Sequence, residues 1–407
     1  MGRVIGLMFG VVATTLISIS NGTIAHAAPS VTCPQNPARI TDEAAERLWE
    51  SASRTLTALD RDGETVTFPF GSTGKSSRPV RTNERAWTAG FYPASLWLTY
   101  AHEQADSRLT AARRYTDAAL TAATWRGTHD LGFMVGLPDG LGVTLDTDAG
   151  RRTRYESGLD TAARSLASRW NSRIGALQSG SYDGQWGLII DSAMNAPLLI
   201  ERGEVIGGTE GRTLVKRGTH HLIRLAEDFI RPDGSTIHRQ AYDPDTGDLI
   251  GPIYGQGRST TSTWARGQAW AITGFAHAFA ATDNDVFLDA AQRTADYWIS
   301  QVPAGCIPAW DLTIERGSAP RDSSAAAITS YGMLRLAEVE SDPTRATTYR
   351  DYALTTLGTL AQKPWTSADG RPTGILQRQA YNIPSDPREG TYAWGDTYLL
   401  LALASGG

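Results

Sequence analysis

The sequence predicts an all-α fold, an (α/α)6 barrel of six helical hairpins and twelve helices, with residues 28–407 forming one domain. Two observations carry this prediction. Six segments space their apolar residues helically and keep charges on the other face, as surface helices do. Six others, lying between them, are apolar or small nearly all round, as buried helices are. Exposed and buried helices in alternation pack economically as hairpins in a closed ring, with the buried set inside. No fixed repeat length is visible, which argues against an open helical solenoid.

The first outer helix is expected over 41–59, where Ala45, Leu48, Trp49, Ala52, Leu56 and Leu59 fall on one face. Others are expected near 108–124, 155–170, 213–230, 285–301 and 346–361. The inner segments begin near Trp87 (WTAGFYPASLWLTYA), Asp130 (DLGFMVGL), Asp191 (DSAMNAPLLI), Trp264 (WARGQAWAITGFAHAFA), Asp322 (DSSAAAITSYGMLRLA) and Asp396 (DTYLLLALA). Their starts should converge at one end of the barrel. That places Trp87, Asp130, Asp191, Arg266, Asp322 and Asp396 around one mouth. Residues 231–258 read otherwise. Asp233-Gly234 and the 243–247 cluster are turn chemistry, and Ile237 and Tyr242 flank polar residues as in a short hairpin. A loop of this length is expected to form a lid or pocket wall.

Residues 1–27 have the layout of a secretory signal peptide: Arg3, an apolar run from Val4 to Ile19, and small residues at Ala25 and Ala27. The run is short for a bilayer, which takes about 20 residues. The mature protein is therefore expected outside the cytoplasm, extracellular or periplasmic, with no membrane attachment. Cys33 and Cys306 are the only cysteines. In an exported chain they form either one disulfide, tying the N-terminal arm to the body, or two unpaired thiols. A net charge of −5 without a basic block gives no footprint for nucleic acid. The chain is expected to be monomeric.

Asp191 follows three aliphatic residues in WGLIIDSAMN (186–195) and opens a buried segment. Burial disfavours a carboxylate, and a carboxyl kept protonated near neutrality is what a general acid requires. The competing reading is a helix N-cap, which favours the charged form. Asp130 opens another inner segment, so two carboxyls can face each other across the mouth and divide acid and base work. Arg266 near a buried helix start needs a partner. A substrate carboxylate held by a bidentate fork, Asp130 and Asp322 all qualify. Trp264 and Trp270 are six residues apart and do not share a helix face, so one of them should be core. His238 is either in the site or an exposed loop histidine. Asp322 and Asp396 read as caps of inner helices. No nucleophile elbow, phosphate loop or HExxH string occurs, and no His/Cys/Asp/Glu spacing suggests a metal.

Several long strings are similar to the unsaturated glucuronyl hydrolases, glycoside hydrolase family 88. They are WTAGFYPASLW (87–97), HDLGF (129–133), LIIDSAMN (188–195), RPDGSTIHRQAYDPDTG (231–247), QGRSTTSTWARGQAWAI (256–272), AWD (309–311), RDSSAAAI (321–328) and GDTYLLLAL (395–403). The resemblance runs from about residue 40 to 405 in the family's order. It implies an (α/α)6 barrel without metal or organic cofactor. Its substrates would be oligosaccharides ending in a 4,5-unsaturated glucuronic acid, as polysaccharide lyases leave them. It implies that Asp191 is general acid and base and that Asp130 is the second essential aspartate. Trp87, His129, His238, Gln256, Trp264, Arg266 and Trp270 are then expected to bind the sugar. The implied chemistry hydrates the C4=C5 vinyl ether, and the glycosidic bond breaks as a consequence. The chain departs from the pattern at Gly180, where the family often has a stacking tryptophan that Tyr182 or Trp186 would have to replace, and at Ser192-Ala193. A related unsaturated rhamnogalacturonyl hydrolase and a non-catalytic sugar-binding barrel are the alternatives. Arg378 and Arg388, in the polar loop 377–394, are candidates for contact with a sulfate or a second uronate, or are solvated surface arginines.

Overall fold

A computed structural model of the chain describes residues 31–60, 65–73, 79–315, 319–367 and 373–406, so the expected signal peptide lies outside the described residues. The described residues form twelve α-helices: α1 Asp42–Leu59, α2 Phe91–Glu103, α3 Asp106–Ala119, α4 Leu137–Leu145, α5 Ala149–Ala167, α6 Pro197–Ile206, α7 Gly208–Phe229, α8 Ala265–Thr282, α9 Asp285–Gln301, α10 Ser323–Val339, α11 Pro343–Leu360 and α12 Ala393–Gly406. The even-numbered helices are the inner ones. They form a ring in which the turn 132–136 bridges α4 to α6 and which closes where α12 meets α2. At that seam Thr397 Oγ1 donates to Phe91 O at 2.8 Å and lies 2.9 Å from Ser95 Oγ.

The helices differ as the alternation predicts. Helix α1 buries one stripe (Leu48, Trp49, Ala52, Leu56, Leu59) and leaves its charges outside. Helix α12 is buried without a break from Trp394 to Leu403. Each fully buried Leu or Phe contributes about 1.5–3 kcal/mol, so the ring is held mainly by this apolar wall. Helix starts differ too. Thr41, Asp148, Asn284 and Asp342 cap outer helices through their side chains. Helices α2, α4, α6 and α8 begin with no side-chain cap. Asp322 does cap α10, accepting from the Ser324 and Ala325 amides. Asp396 does not cap α12, which begins three residues earlier. Its carboxylate instead accepts from Ile375 N and Leu376 N at 2.9 and 2.8 Å, so it fastens a loop rather than a helix start.

The chain is less purely helical than its sequence suggests. One four-stranded antiparallel sheet joins 180–182, 185–189, 239–242 and 249–252, and a second joins 379–380, 389–392, 68–73 and 80–82. The 231–258 segment does contain the expected hairpin. Its strand 239–242 pairs with 185–189 in the register Ile189↔Arg239. The turn between 182 and 185 is Asp183-Gly184, with φ of +51° and +78°. Two positive φ values in succession suit Asp-Gly in a tight hairpin. Cys33 and Cys306 form a disulfide beside the paired strands 31–32 and 307–308. Among the described residues no helix is long and apolar enough to cross a membrane.

Candidate active site

Asp191 is reached from the strand 185–189, which passes directly into a 3-10 turn, Ile190–Met194, before α6. The turn is fixed from three sides. Ile190 N donates to His238 O at 3.1 Å. Asn195 Nδ2 donates to Asp191 O at 3.2 Å, and Asn195 Oδ1 accepts from Phe133 N at 3.0 Å. On the third side Gly274 lets α8 close in, since a Cβ there would lie 2.6 Å from Ala193 O. The side chain makes no capping bond, so the N-cap reading of Asp191 is not realised: the turn's own N-cap is Ile189. Asp191 is 8% exposed and its Oδ2 has no hydrogen-bond partner among the described residues. Burial raises its pKa to about 7, against the pull of Arg266 and with the push of Asp130.

His238 is buried beside it, with Nε2 3.7 Å from Asp191 Oδ2. Its Nδ1 accepts from Gln256 N at 2.8 Å. The neutral ring therefore carries its proton on Nε2, the edge facing Asp191. Burial, with Arg239 and Arg266 nearby, holds the His238 pKa well below its ordinary value, so the ring is neutral. Its ring packs on Trp264 at a centroid distance of 4.5 Å. The exposed-loop reading of His238 is thus excluded.

His129 and Asp130 precede a π-helical turn, Gly132–Gly136, that leads into α4. His129 Nε2 is 3.4 Å from Asp130 Oδ1, and its Nδ1 is 3.2 Å from Ser192 Oγ, which in turn lies 2.6 Å from Ser179 Oγ. Burial lowers the His129 pKa. Asp130 also accepts from Thr128 Oγ1 at 2.9 Å. Trp87 is half-buried and packs on Phe91, Phe133 and Trp394, which places it at the mouth.

Three expectations need correction. Arg266 is 1% exposed, and both of its Nη groups are engaged. Nη1 donates to Asp322 Oδ2 at 3.2 Å and to Ala380 O, and Nη2 donates to Gln256 Oε1 at 2.9 Å and Tyr381 O at 2.7 Å. All four Nη hydrogens are used, so no fork is left for a substrate carboxylate. Of the three candidate partners it is Asp322 that pairs with it. Trp270 is fully buried between Phe133 and Tyr398, with ring centroids 5.1 Å away on each side. It packs on Phe133 and presents no surface to a sugar; Trp264, 2% exposed between His238 and Arg266, presents none either and instead supports the His238 ring. The loop arginines are also paired: Arg378 with Glu389 and Arg388 with Asp386, each through two bonds.

Other residues belong to the site that sequence reasoning did not assign. Asn195, Ser192 and Ser179 position the acid and His129. Arg239 lies over Tyr182 at 4.3 Å, and Tyr182 feels the charges of Asp130 and Asp191. The ring of Tyr182 lies across Gly180, where a Cβ would meet it at 2.9 Å. Tyr182 therefore occupies the space above Gly180. The Asp183-Gly184 turn was the available signal for this hairpin. Among the described residues no group of three or more His, Cys, Asp or Glu is placed to hold a metal ion.

No family model matches the chain. It is 33% identical over 354 residues to the unsaturated glucuronyl hydrolase of Bacillus sp. (strain GL1), an alignment covering 83% of this chain and 90% of that one. The chain belongs to the unsaturated glucuronyl hydrolases. It is accordingly a glycoside hydrolase, and the non-catalytic reading falls away. A crystal structure of an unsaturated glucuronyl hydrolase specific for heparin superposes with a TM-score of 0.83 at 26% identity, covering 90% of this chain and 97% of that one. A UGL solved with dGlcA-Glc-Rha-Glc superposes with a TM-score of 0.79 at 30% identity, covering 89% of this chain and 96% of that one. These unsaturated glucuronyl hydrolases share the helical barrel, so the predicted architecture stands.

Proposed function

We propose that the protein is an exported enzyme that removes 4,5-unsaturated glucuronic acid from the non-reducing end of lyase-generated glycosaminoglycan fragments. The observation that carries this reading is the Asp191 carboxyl. It is buried, unbonded at Oδ2, held at a pKa of about 7 and faced by a neutral His238. Such a group keeps its proton close to neutral pH and has no competing hydrogen bond on that oxygen.

In the proposed reaction Asp191 gives its proton to C4. The C4=C5 electron pair forms the new C–H bond, and positive charge develops at C5, shared with the ring oxygen. Water adds at C5 and returns a proton to the Asp191 carboxylate, which restores the acid. The hemiketal opens as the bond from C5 to the ring oxygen breaks and its hydroxyl proton passes to that oxygen. C1 then expels the second sugar as an alcohol. The electrostatic push of the nearby Asp130 favours the protonated form of Asp191. His238 Nε2–H is placed to hold the water or the Asp191 oxygen, and Gln256 and Trp264 fix that ring. Trp87, which is half-buried, offers ring surface to the sugar. Export is supported by the Cys33–Cys306 disulfide, since such bonds persist in oxidising compartments.

The test is a panel of unsaturated disaccharides from chondroitin, hyaluronan, heparin and a rhamnogalacturonan, followed by loss of the vinyl-ether absorbance. Turnover of at least one glucuronyl substrate is expected. Turnover of the rhamnogalacturonan product alone, or of none, overturns the reading.

A further inference from the structure

We propose that Arg239, laid on the ring of Tyr182, is a receptor for an anionic group, a sulfate or carboxylate, on the sugar just beyond the cleaved bond. The inference rests on the hydrolase reading above and names the substrate class that this site favours.

Location comes first. Arg239 pairs in register with Ile189, two residues before Asp191, and follows His238, whose ring faces the acid. Its guanidinium carbon lies 4.3 Å from the centroid of the Tyr182 ring. That ring is seated over two glycines: a Cβ at Gly180 would come within 2.9 Å of it and one at Gly187 within 2.5 Å. The bare strand faces at 180 and 187 therefore make room for the plate on which Arg239 rests. A guanidinium stacked on a ring keeps its N–H edge free for in-plane bonds to an anion.

That edge is under-used. Nη1 donates to Tyr254 O at 3.3 Å, and Nε is buried without an acceptor. Among the described residues no carboxylate is within 4.0 Å of the group. The other cations around the acid are spent. Arg266 uses all four Nη hydrogens and keeps only a buried Nε without an acceptor, and Arg169 donates to the carbonyls of Gln178, Arg126 and Ser179. Arg239 is left with charge to be neutralised and N–H groups to be satisfied, which a substrate anion would do through charge-assisted bonds.

Direction decides which sugar. The carbonyl that Nη1 reaches belongs to Tyr254, which is 49% exposed, whereas Asp191 is buried. The Arg239 tip is thus on the solvent side of the acid. An enzyme that releases a terminal sugar holds that sugar at the acid, and the next one lies outward. The tip meets that next sugar.

The test measures kcat/KM on pairs of unsaturated disaccharides that differ only by a sulfate on the second sugar. The sulfated-to-unsulfated ratio should exceed one in the wild type and fall about tenfold in Arg239→Ala, the scale of one charge-assisted hydrogen bond. Arg239→Lys should fall between, because it keeps the charge and loses the plane. Tyr182→Leu should also lower the ratio. A ratio unchanged in Arg239→Ala overturns the proposal. If the mutant loses the same factor on both substrates, the ratio is also unchanged and Arg239 belongs instead to the uronate shared by both. A second arm uses calorimetric binding of saturated disaccharides, with and without the sulfate, to the wild type and Arg239→Ala, with circular dichroism to confirm folding. A chain that cleaved no unsaturated disaccharide would sink the hydrolase reading, while this arm would still show or fail to show the Arg239-dependent gain from the sulfate.

Discussion

Asp191 and Asp396 both lie near the starts of inner elements, and burial raises each to a pKa of about 7. Their hydrogen bonding is opposite. Asp396 accepts from Ile375 N, Leu376 N and Gln379 Nε2. Asp191 Oδ2 accepts from nothing among the described residues. The two arginines near them differ at their Nη groups: those of Arg266 reach Asp322, Gln256 and two carbonyls, whereas Arg239 makes one Nη bond, and Nε is without an acceptor in both. A raised pKa therefore does not by itself mark chemistry. Most buried polar groups are satisfied, and what sets Asp191 apart from Asp396 is an unbonded carboxyl oxygen facing a neutral histidine. The 266/322/380/396 side is scaffold.

The largest effect that would sharpen this contrast is on turnover. Asp191→Asn should fold and lose roughly 10²–10⁴ in kcat, the usual worth of a general acid. The check is vinyl-ether absorbance with melting curves on the same samples. A folded variant with near-wild-type turnover would break the contrast at its centre.

Next in size is Arg266. Arg266→Ala leaves Asp322 buried without its cation, so stability should drop by about 3–5 kcal/mol, read by urea unfolding. Arg266→Lys keeps the charge but not the four-bond geometry, and should lose part of that while KM changes little. A rise in KM at unchanged stability would return Arg266 to the substrate.

The same amide substitution should act with opposite sign at the two aspartates. A carboxyl whose pKa rises on folding binds more protons folded than unfolded between its two values. Its stabilising effect is thus present below the unfolded value of 3.8 and is lost as pH rises through about 7. At pH 8 both aspartates carry a desolvated charge. Asp191→Asn removes it and breaks no bond at Oδ2, so Tm should rise. Asp396→Asn removes it too, but turns an amide N–H toward backbone N–H donors. That costs about 1–3 kcal/mol for unsatisfied groups, and Tm should fall. Tm changes of the same sign would mean that burial alone governs both sites.

Much of this architecture was legible because its signals are local. The stripe in α1 and the unbroken apolar run in α12 are read directly from neighbouring residues. Asp191 and Asp130 stood out as carboxyls opening apolar segments; His129 came only from the resemblance, and the residues alone left His238 open between the site and an exposed loop. The two sheets were not, because strands of two to six residues show too few alternations to read against a helical background. Asp396 was misread because its partners, the 375 and 376 amides, come from about twenty residues upstream. Arg266 and Arg239 were not separable in sequence. Each is an arginine near an aromatic residue, and only the count of acceptors brought by remote loops distinguishes them.

The smallest expected effect tests that count at the surface. Arg378 holds Glu389 through Nε at 2.7 Å and Nη2 at 3.0 Å, and Arg388 holds Asp386 through Nε at 2.7 Å and Nη2 at 2.8 Å. Their side chains are 37% and 63% exposed, so these pairs are worth little to stability, about 0–1 kcal/mol each. Each guanidinium already faces a carboxylate in the planar geometry that a sulfate would need, so a substrate anion would have to displace it. The double variant Arg378→Ala, Arg388→Ala should keep the sulfated-to-unsulfated activity ratio within about twofold, well below the tenfold factor of a charge-assisted bond. Its salt dependence should match the wild type, because no exposed substrate contact has been removed. A collapse of the ratio in this variant would show that paired surface arginines can still read a substrate anion. Saturation would then cease to separate the two classes of arginine in this protein.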